Sequence, residues 1–291
     1  MSYSARKLSL LFALAVCVAP FAAHPARSAD VIPLDTTGPR PTAELRLGKA
    51  GPLNVIFDTG AAGSVIFPDV AAAAGLPKLG EILIGGHGGG TPRKGYLSLI
   101  ESGTLGGVAI SNVRVAVVNL DLPLPGISGV ASPNIFSGKY VVFELGKSRV
   151  VISRDLPQRA RSISPVGYSD AGHGQSLPQI EVRLPGKTVA AHMDTGSAYD
   201  LILPLPMARE LPLMGPLRPL GRPVRMAGSE HAAFEAEISG DVSVGPVTLS
   251  NSKTLFVEGF PKPNVGFGTL KKLTIVLDPE NRRSWVLDAG P

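Results

Sequence analysis

The chain has 291 residues, 44% of them hydrophobic, which suits a packed core and argues against a disordered chain. Its 34 glycines and 27 prolines make up about a fifth of the sequence, against roughly 12% on average, and so favour many short strands joined by tight turns. Three of the basic residues behind the formal charge of +5 (Arg6, Lys7 and Arg27) lie in the first 28 residues, where there is no acid; from residue 29 onward basic and acidic side chains nearly balance, leaving no sign of a nucleic-acid or polybasic membrane surface.

In chain order, Arg6 and Lys7 precede the apolar run "LSLLFALAVCVAPFAA", and the small residues of "HPARSAD" come after it. The pattern predicts a signal peptide over residues 1–28, cleaved between Ala26 and Ala29, and an exported protein, periplasmic or extracellular. Pro20 interrupts the run and it falls short of a membrane span, so no stable membrane insertion is expected. Leu14-Ala15-Val16-Cys17 is also readable as a lipoprotein box that would anchor the chain through Cys17, although Val16 is bulkier than such boxes normally allow. Cys17 is the only cysteine, so the segment after it has neither disulfides nor thiol chemistry.

From residue 29 onward one unit is written twice. "PTAELRL" (41–47) leads into "FDTGAAGSVIFP" (57–68), and "PQIEVRL" (178–184) leads into "MDTGSAYDLILP" (193–204). The two Asp-Thr-Gly turns are aligned without gaps, so that Ala62 meets Ala198, Ile66 meets Ile202, Pro68 meets Pro204 and Ala72 meets Ala208. "PDVAAAAGLP" predicts a short alanine helix between Pro68 and Gly75, whereas Pro206 and Pro212 should cut its counterpart "PLPMARELP" short. Later, "LGGVAISN" (105–112) matches "VGPVTLSN" (244–251), and "NIFSGKYVVFELGKSRVVI" (134–152) matches "GTLKKLTIVLDPENRRSWVL" (268–287), each a strand, a polar turn and a returning strand. The expected organisation is a mostly β protein with a first half over 29–155, a polar linker over 156–177 rich in Gly, Pro and Ser, and a second half over 178–291.

An Asp-Thr-Gly turn at the end of an apolar strand puts a carboxylate on a tight bend, where glycine permits close approach and the threonine hydroxyl can bond to backbone. Two such units packed about a pseudo-twofold axis would bring Asp58 and Asp194 together. Carboxyls in contact share one proton, leaving one as a base and the other as an acid, and a water between them can be driven onto a peptide carbonyl without metal or cofactor. One Asp-Thr-Gly arises by chance in roughly one chain of this length in twenty; two in register within a repeated frame are far more specific.

On these residues the sequence resembles the aspartic proteases, closest to a retropepsin-like arrangement with both halves fused in one chain. The resemblance rests on Asp58-Thr59-Gly60 and Asp194-Thr195-Gly196, each after an apolar residue, and on a late hydrophobic-hydrophobic-glycine-like element read as Ile127-Ser128-Gly129 and Asn264-Val265-Gly266. It implies a bilobal acid-protease-like fold of two β-rich half-domains, catalytic Asp58 and Asp194, Thr59 and Thr195 locking the turns, a peptide or protein substrate, and activity as a monomer. It also implies a glycine-rich flap over the substrate, made of Gly85, Gly86, His87, Gly88, Gly89 and Gly90 in the first half and lying around Gly228 in the second. Ser128 and Asn264 depart from the family's apolar pattern, His192 stands opposite Ile56, and Ser197 stands where the first turn has Ala61. A serine there could hydrogen-bond the aspartate and make the two carboxyls unequal.

Other readings are weaker. His87-Gly88-Gly89-Gly90 is also an oxyanion-hole pattern of serine esterases, but no Gly-x-Ser-x-Gly accompanies it, and Gly167-Tyr168-Ser169-Asp170-Ala171 only approaches one. No Gly-Lys-Ser/Thr directly follows the glycine cluster, which argues against a phosphate loop there. His87, His173, His192 and His231 lack metal-ligand spacing, so no metal is expected, and Trp285 reads as core. A catalytically weak peptide-binding module on the same scaffold stays open as the rival function.

Overall fold

The computed structural model describes residues 29–84, 91–120, 125–172, 175–226 and 229–290. The expected signal segment over 1–28, with Cys17, lies outside the described residues, as do Gly85, Gly86, His87, Gly88, Gly89, Gly90, His173 and Gly228. Within them no helix is long and apolar enough to cross a membrane. The fold is mostly β and is built from three large sheets.

Each half owns one sheet. In the first, the strand Ala50–Phe57 that carries the Asp58 turn lies beside Gly129–Ala131, then Ser64–Ile66, then Val108–Val117. In the second, Lys187–Asp194 lies beside Asn264–Gly266, then Leu201–Pro204, then Lys253–Val257, the same order. The strands Thr42–Leu47 and Gln179–Leu184 share one alternation of exposed and buried positions, as expected for strands with one face on a core. The matched segments 105–112 and 244–251 also agree in backbone detail: Gly106 and Gly245 have φ of 55° and 54°, and Asn112 and Asn251 have φ of 54° and 49°. Glycine and asparagine are the residues that tolerate this left-handed region.

The third sheet joins the halves. Tyr140–Glu144 pairs antiparallel with Leu273–Asp278, and around them lie Asp30–Pro33, Arg149–Ser153, Arg283–Asp288 and Val166–Gly167. In the central pair Val142 faces Val276, flanked by Phe143 against Ile275 and Val141 against Leu277. These residues are counterparts in the repeat, so the register is unchanged when the halves are exchanged, and the pseudo-twofold axis passes between Val142 and Val276. Val141, Phe143, Ile275 and Leu277 are fully buried, and burying one side chain of that size is worth about 1.5–3 kcal/mol. The seam therefore fixes one half against the other. The largest hydrophobic cluster runs across it and includes Phe57, Phe143, Met193 and Leu270. Phe57 packs on Phe143 with ring centroids 5.0 Å apart, which ties the residue just before Asp58 to the joining sheet.

The helix expected after the first turn forms at Pro68–Ala73, and its counterpart is only a 3-10 turn at Leu205–Arg209. The gapless alignment of the two units fails here. Val65 pairs with Val130, whereas the residue paired with Asn264 is Ile202. The helices start after Phe67 and Pro204, and their buried alanines are Ala71 and Ala208. The second unit thus has one extra residue between its turn and its next strand, so Ile66 corresponds to Leu203, not Ile202, and Pro68 to Leu205. Leu201, Ile202 and Leu203 are all buried, so hydrophobicity alone carries no sign of the slip. The segment 156–177 holds more structure than its composition suggests: Val166–Gly167 extends the joining sheet against Arg283 and Ser284, and Ser169–Gly172 pairs with Gln175–Leu177.

Candidate active site

The two Asp-Thr-Gly turns meet at the axis and are bonded to each other. Thr59 N–H donates to Thr195 Oγ1 at 3.0 Å, and Thr195 N–H donates to Thr59 Oγ1 at 3.1 Å. Each hydroxyl then donates onward across the axis, Thr59 Oγ1 to the carbonyl of Met193 at 2.8 Å and Thr195 Oγ1 to that of Phe57 at 2.7 Å. Both threonines are buried, so each hydroxyl exchanges water for one donated and one accepted bond. Four reciprocal bonds of this kind position the turns more tightly than either strand could alone. Arg40 adds a bond from Nε to the carbonyl of Gly196.

The glycines face the opposing carboxyls. A Cβ on Gly60 would lie 2.7 Å from Asp194 Cγ, and one on Gly196 would lie 2.4 Å from Asp58 Oδ2. Each aspartate therefore fills the space beside the other turn's glycine, where any other residue would collide with it. Asp58 Oδ1 accepts from the amides of Gly60 at 2.7 Å and Gly196 at 3.0 Å. Asp194 Oδ2 accepts from Asn264 Nδ2 at 2.8 Å. Burial first, and then the charge of Asp194, push the Asp58 carboxyl up to about 8, against the pull of the two amides. Asp58 therefore keeps its proton well above the usual carboxylate range.

The remaining expectations divide. Ser197 Oγ is buried without a hydrogen-bond partner, so the serine does not serve the aspartate as expected from sequence; the donor comes from Asn264. The late element of the first half was also misplaced by sequence. Ile56 pairs with Val130 while His192 pairs with Asn264, so the counterpart of Asn264-Val265-Gly266 is Val130-Ala131-Ser132, not Ile127-Ser128-Gly129. Ser132 caps the following turn by accepting from the Asn134 amide, and Gly266 stands at the same place before Phe267–Leu270. The strands before and after the first glycine cluster pair antiparallel, Ile84 against Arg93, as do those around Gly228, Met226 against Ser229; the glycines themselves are outside the described residues.

His192 lies two residues before Asp194 on the same strand, hence on the same face. Its Nε2 is 2.8 Å from Ser169 Oγ. Burial, then the Lys262 ammonium, lower its pKa to about 4 against the opposing pull of Asp170, so the ring is neutral at ordinary pH. Among the described residues no group of three His, Cys, Asp or Glu side chains could hold a metal. Trp285 is buried, with Nε1 donating to the Ile163 carbonyl. Asn264 stood out in the sequence only as a departure from an apolar pattern, and what the sequence did not show is its role as donor to Asp194, beside a histidine on the neighbouring strand.

Residues 43–131 match the sequence profile of the Aspartyl protease family, a stretch that includes the Asp58 turn and ends with the strand Gly129–Ala131. In fold the chain is similar to the aspartic proteinase from Irpex lacteus, with a TM-score of 0.56 at 12% identity, over 90% of this chain and 97% of that one. No curated protein matches the sequence.

Proposed function

We propose that this chain, an aspartic-protease-like protein, is an aspartic-type endopeptidase that hydrolyses peptide bonds with a water activated between Asp58 and Asp194. The observation that carries the reading is the dyad itself: two carboxyls packed against each other's turns, with Asp58 holding its proton well above the ordinary carboxylate range. With one proton on the pair, the ionised carboxylate takes a proton from the water as its oxygen attacks the peptide carbon. The protonated partner hydrogen-bonds the carbonyl oxygen and stabilises the tetrahedral intermediate, and a proton is then delivered to the departing amine. Both carboxyls come from one chain, so a monomer suffices, and the signal-peptide pattern of the sequence over 1–28 favours an exported enzyme.

The test is incubation with a mixed peptide library between pH 4 and 8, with a pepstatin-type inhibitor as control. Inhibitor-sensitive cleavage that falls at least a hundredfold in both Asp58→Asn and Asp194→Asn is the expected result, the scale of removing a general acid or base. Cleavage that persists in both variants overturns it. Peptide binding without products would favour the peptide-binding module.

A further inference from the structure

The two flanks of the dyad are built from corresponding strands but differ in chemistry. In the first half Ile56 and Val130 stand side by side, both buried and apolar. In the second half the same two places hold His192 and Asn264. We infer that Asn264 is a positioning residue that keeps Asp194 as the ionised member of the dyad and leaves the shared proton on Asp58. This rests on the dyad of the proposed function and assigns its two members distinct roles.

Three observations support the assignment. Asn264 is more than nine-tenths buried, and its Nδ2 reaches Asp194 Oδ2 at 2.8 Å, good geometry for a donor to a carboxylate. Its Oδ1 is buried without a partner. An unsatisfied amide oxygen is unfavourable, and a donor bond to a charged acceptor offsets that cost better than one to a neutral acceptor. A donor on Oδ2 favours an ionised Asp194 over a protonated one and keeps the shared proton off that oxygen. Third, Ser197, the other hydroxyl beside this turn, makes no bond, so Asn264 is the side chain that supplies the donor.

The charged and titratable groups around this pair are few. Asp58 faces Asp194 across the axis, and Arg40 bonds the Gly196 carbonyl. His192 is on the same strand as Asp194 and is neutral above about pH 4, with Lys262 and Asp170 acting on it from beyond. The Asp200 carboxylate lies against Gly268, past the end of the Asn264 strand. None of these donates to Asp194 in place of Asn264.

The test compares the full chain with Asn264→Val, which installs the first half's residue, and with Asn264→Gln, which keeps an amide donor. The acid limb of the kcat/KM profile is expected to rise by about one pH unit in Asn264→Val, the scale of losing a hydrogen bond to the ionised form, with KM little changed and with partial return in Asn264→Gln. An acid limb that does not move, or movement of the alkaline limb alone, overturns the inference. The second readout is a carbon-13 titration of the aspartate carboxyls, which needs no turnover. If the wild-type chain cleaves nothing, the proposed endopeptidase fails by itself, while the titration still decides the role of Asn264: a higher midpoint for Asp194 in Asn264→Val supports it, and an unchanged one overturns it.

Discussion

The two halves agree in their backbones at the axis and disagree in the side chains beside it. The threonine bonds are reciprocal to within a tenth of an ångström, and the joining sheet keeps its register under exchange of the halves. Beside the turns, Ile56 and Val130 give way to His192 and Asn264, and Ala61 gives way to Ser197. Symmetry is kept where it builds the dyad, because both carboxyls must arrive at one point; it is lost where it would make them equivalent, because one must be acid and the other base.

The sharpest way to break the symmetric part is to put a methyl group on its glycines. Gly196→Ala drives a Cβ to 2.4 Å of Asp58 Oδ2, and Gly60→Ala drives one to 2.7 Å of Asp194 Cγ. Neither contact can be relieved without moving a reacting carboxyl, and a displacement of about 1 Å there is expected to cost on the order of a hundredfold in kcat. Both variants should lose activity to a similar degree while keeping a cooperative thermal transition. A variant that retains full kcat would show that the carboxyls are not held against these glycines.

A smaller effect tests a place where the halves solve one problem differently. Ser132 caps its turn and donates to the Ala61 carbonyl at 2.7 Å, whereas a Cβ at Gly266 would lie 1.9 Å from the Tyr199 carbonyl oxygen. The extra residue in the second loop brings its backbone into the space a side chain would need. Exchanging the residues should therefore be unequal: Ser132→Gly costs about 1 kcal/mol, a lost cap and one hydrogen bond, and Gly266→Ser costs about 3 kcal/mol or more, since packed backbone must move. Chemical denaturation reads both. Equal costs would mean that the longer loop yields to a side chain.

Legibility in the sequence divides along the same line. The paired turns, the repeated strands and the short helix at Pro68–Ala73 could be read because each has a local signature: an acid before Thr-Gly, short apolar runs between turns, a proline opening an alanine run. The one-residue insertion could not, because Leu201, Ile202 and Leu203 are apolar on both faces and every register looks equally good. The late element of the first half was hidden because Ser132 stands where its counterpart is Gly266, so a search for glycine settled on Gly129. Asn264 was visible only as a departure from an apolar pattern. Its purpose depends on a carboxylate seventy residues away in the chain.

The gentlest test of the difference between the halves is the pH dependence of stability, because between about pH 4 and 8 each half contributes one displaced titration, of opposite sign. Asp58 has its folded pKa raised to about 8 from an ordinary 3.8, so its contribution is fully present below pH 3.8 and is lost as pH rises through 8. His192 has its folded pKa lowered to about 4 from 6.5, so its contribution is present above pH 6.5 and is lost as pH falls through 4. Between about pH 4 and 6.5 the native chain keeps a proton on Asp58 that the unfolded chain releases, and lacks a proton on His192 that the unfolded chain binds. The two slopes cancel there, and only that of Asp58 remains from 6.5 to 8. Thermal melts of the wild type should thus be level from pH 4 to 6.5 and then decline. In Asp58→Asn the melting temperature should climb from pH 4 to 6.5 and stay level above it, and in His192→Ile it should fall from pH 4 onward. A variant that merely shifts the wild-type curve up or down, without changing its slope, would show that its group does not titrate in this way, and the halves would differ at that position in packing alone.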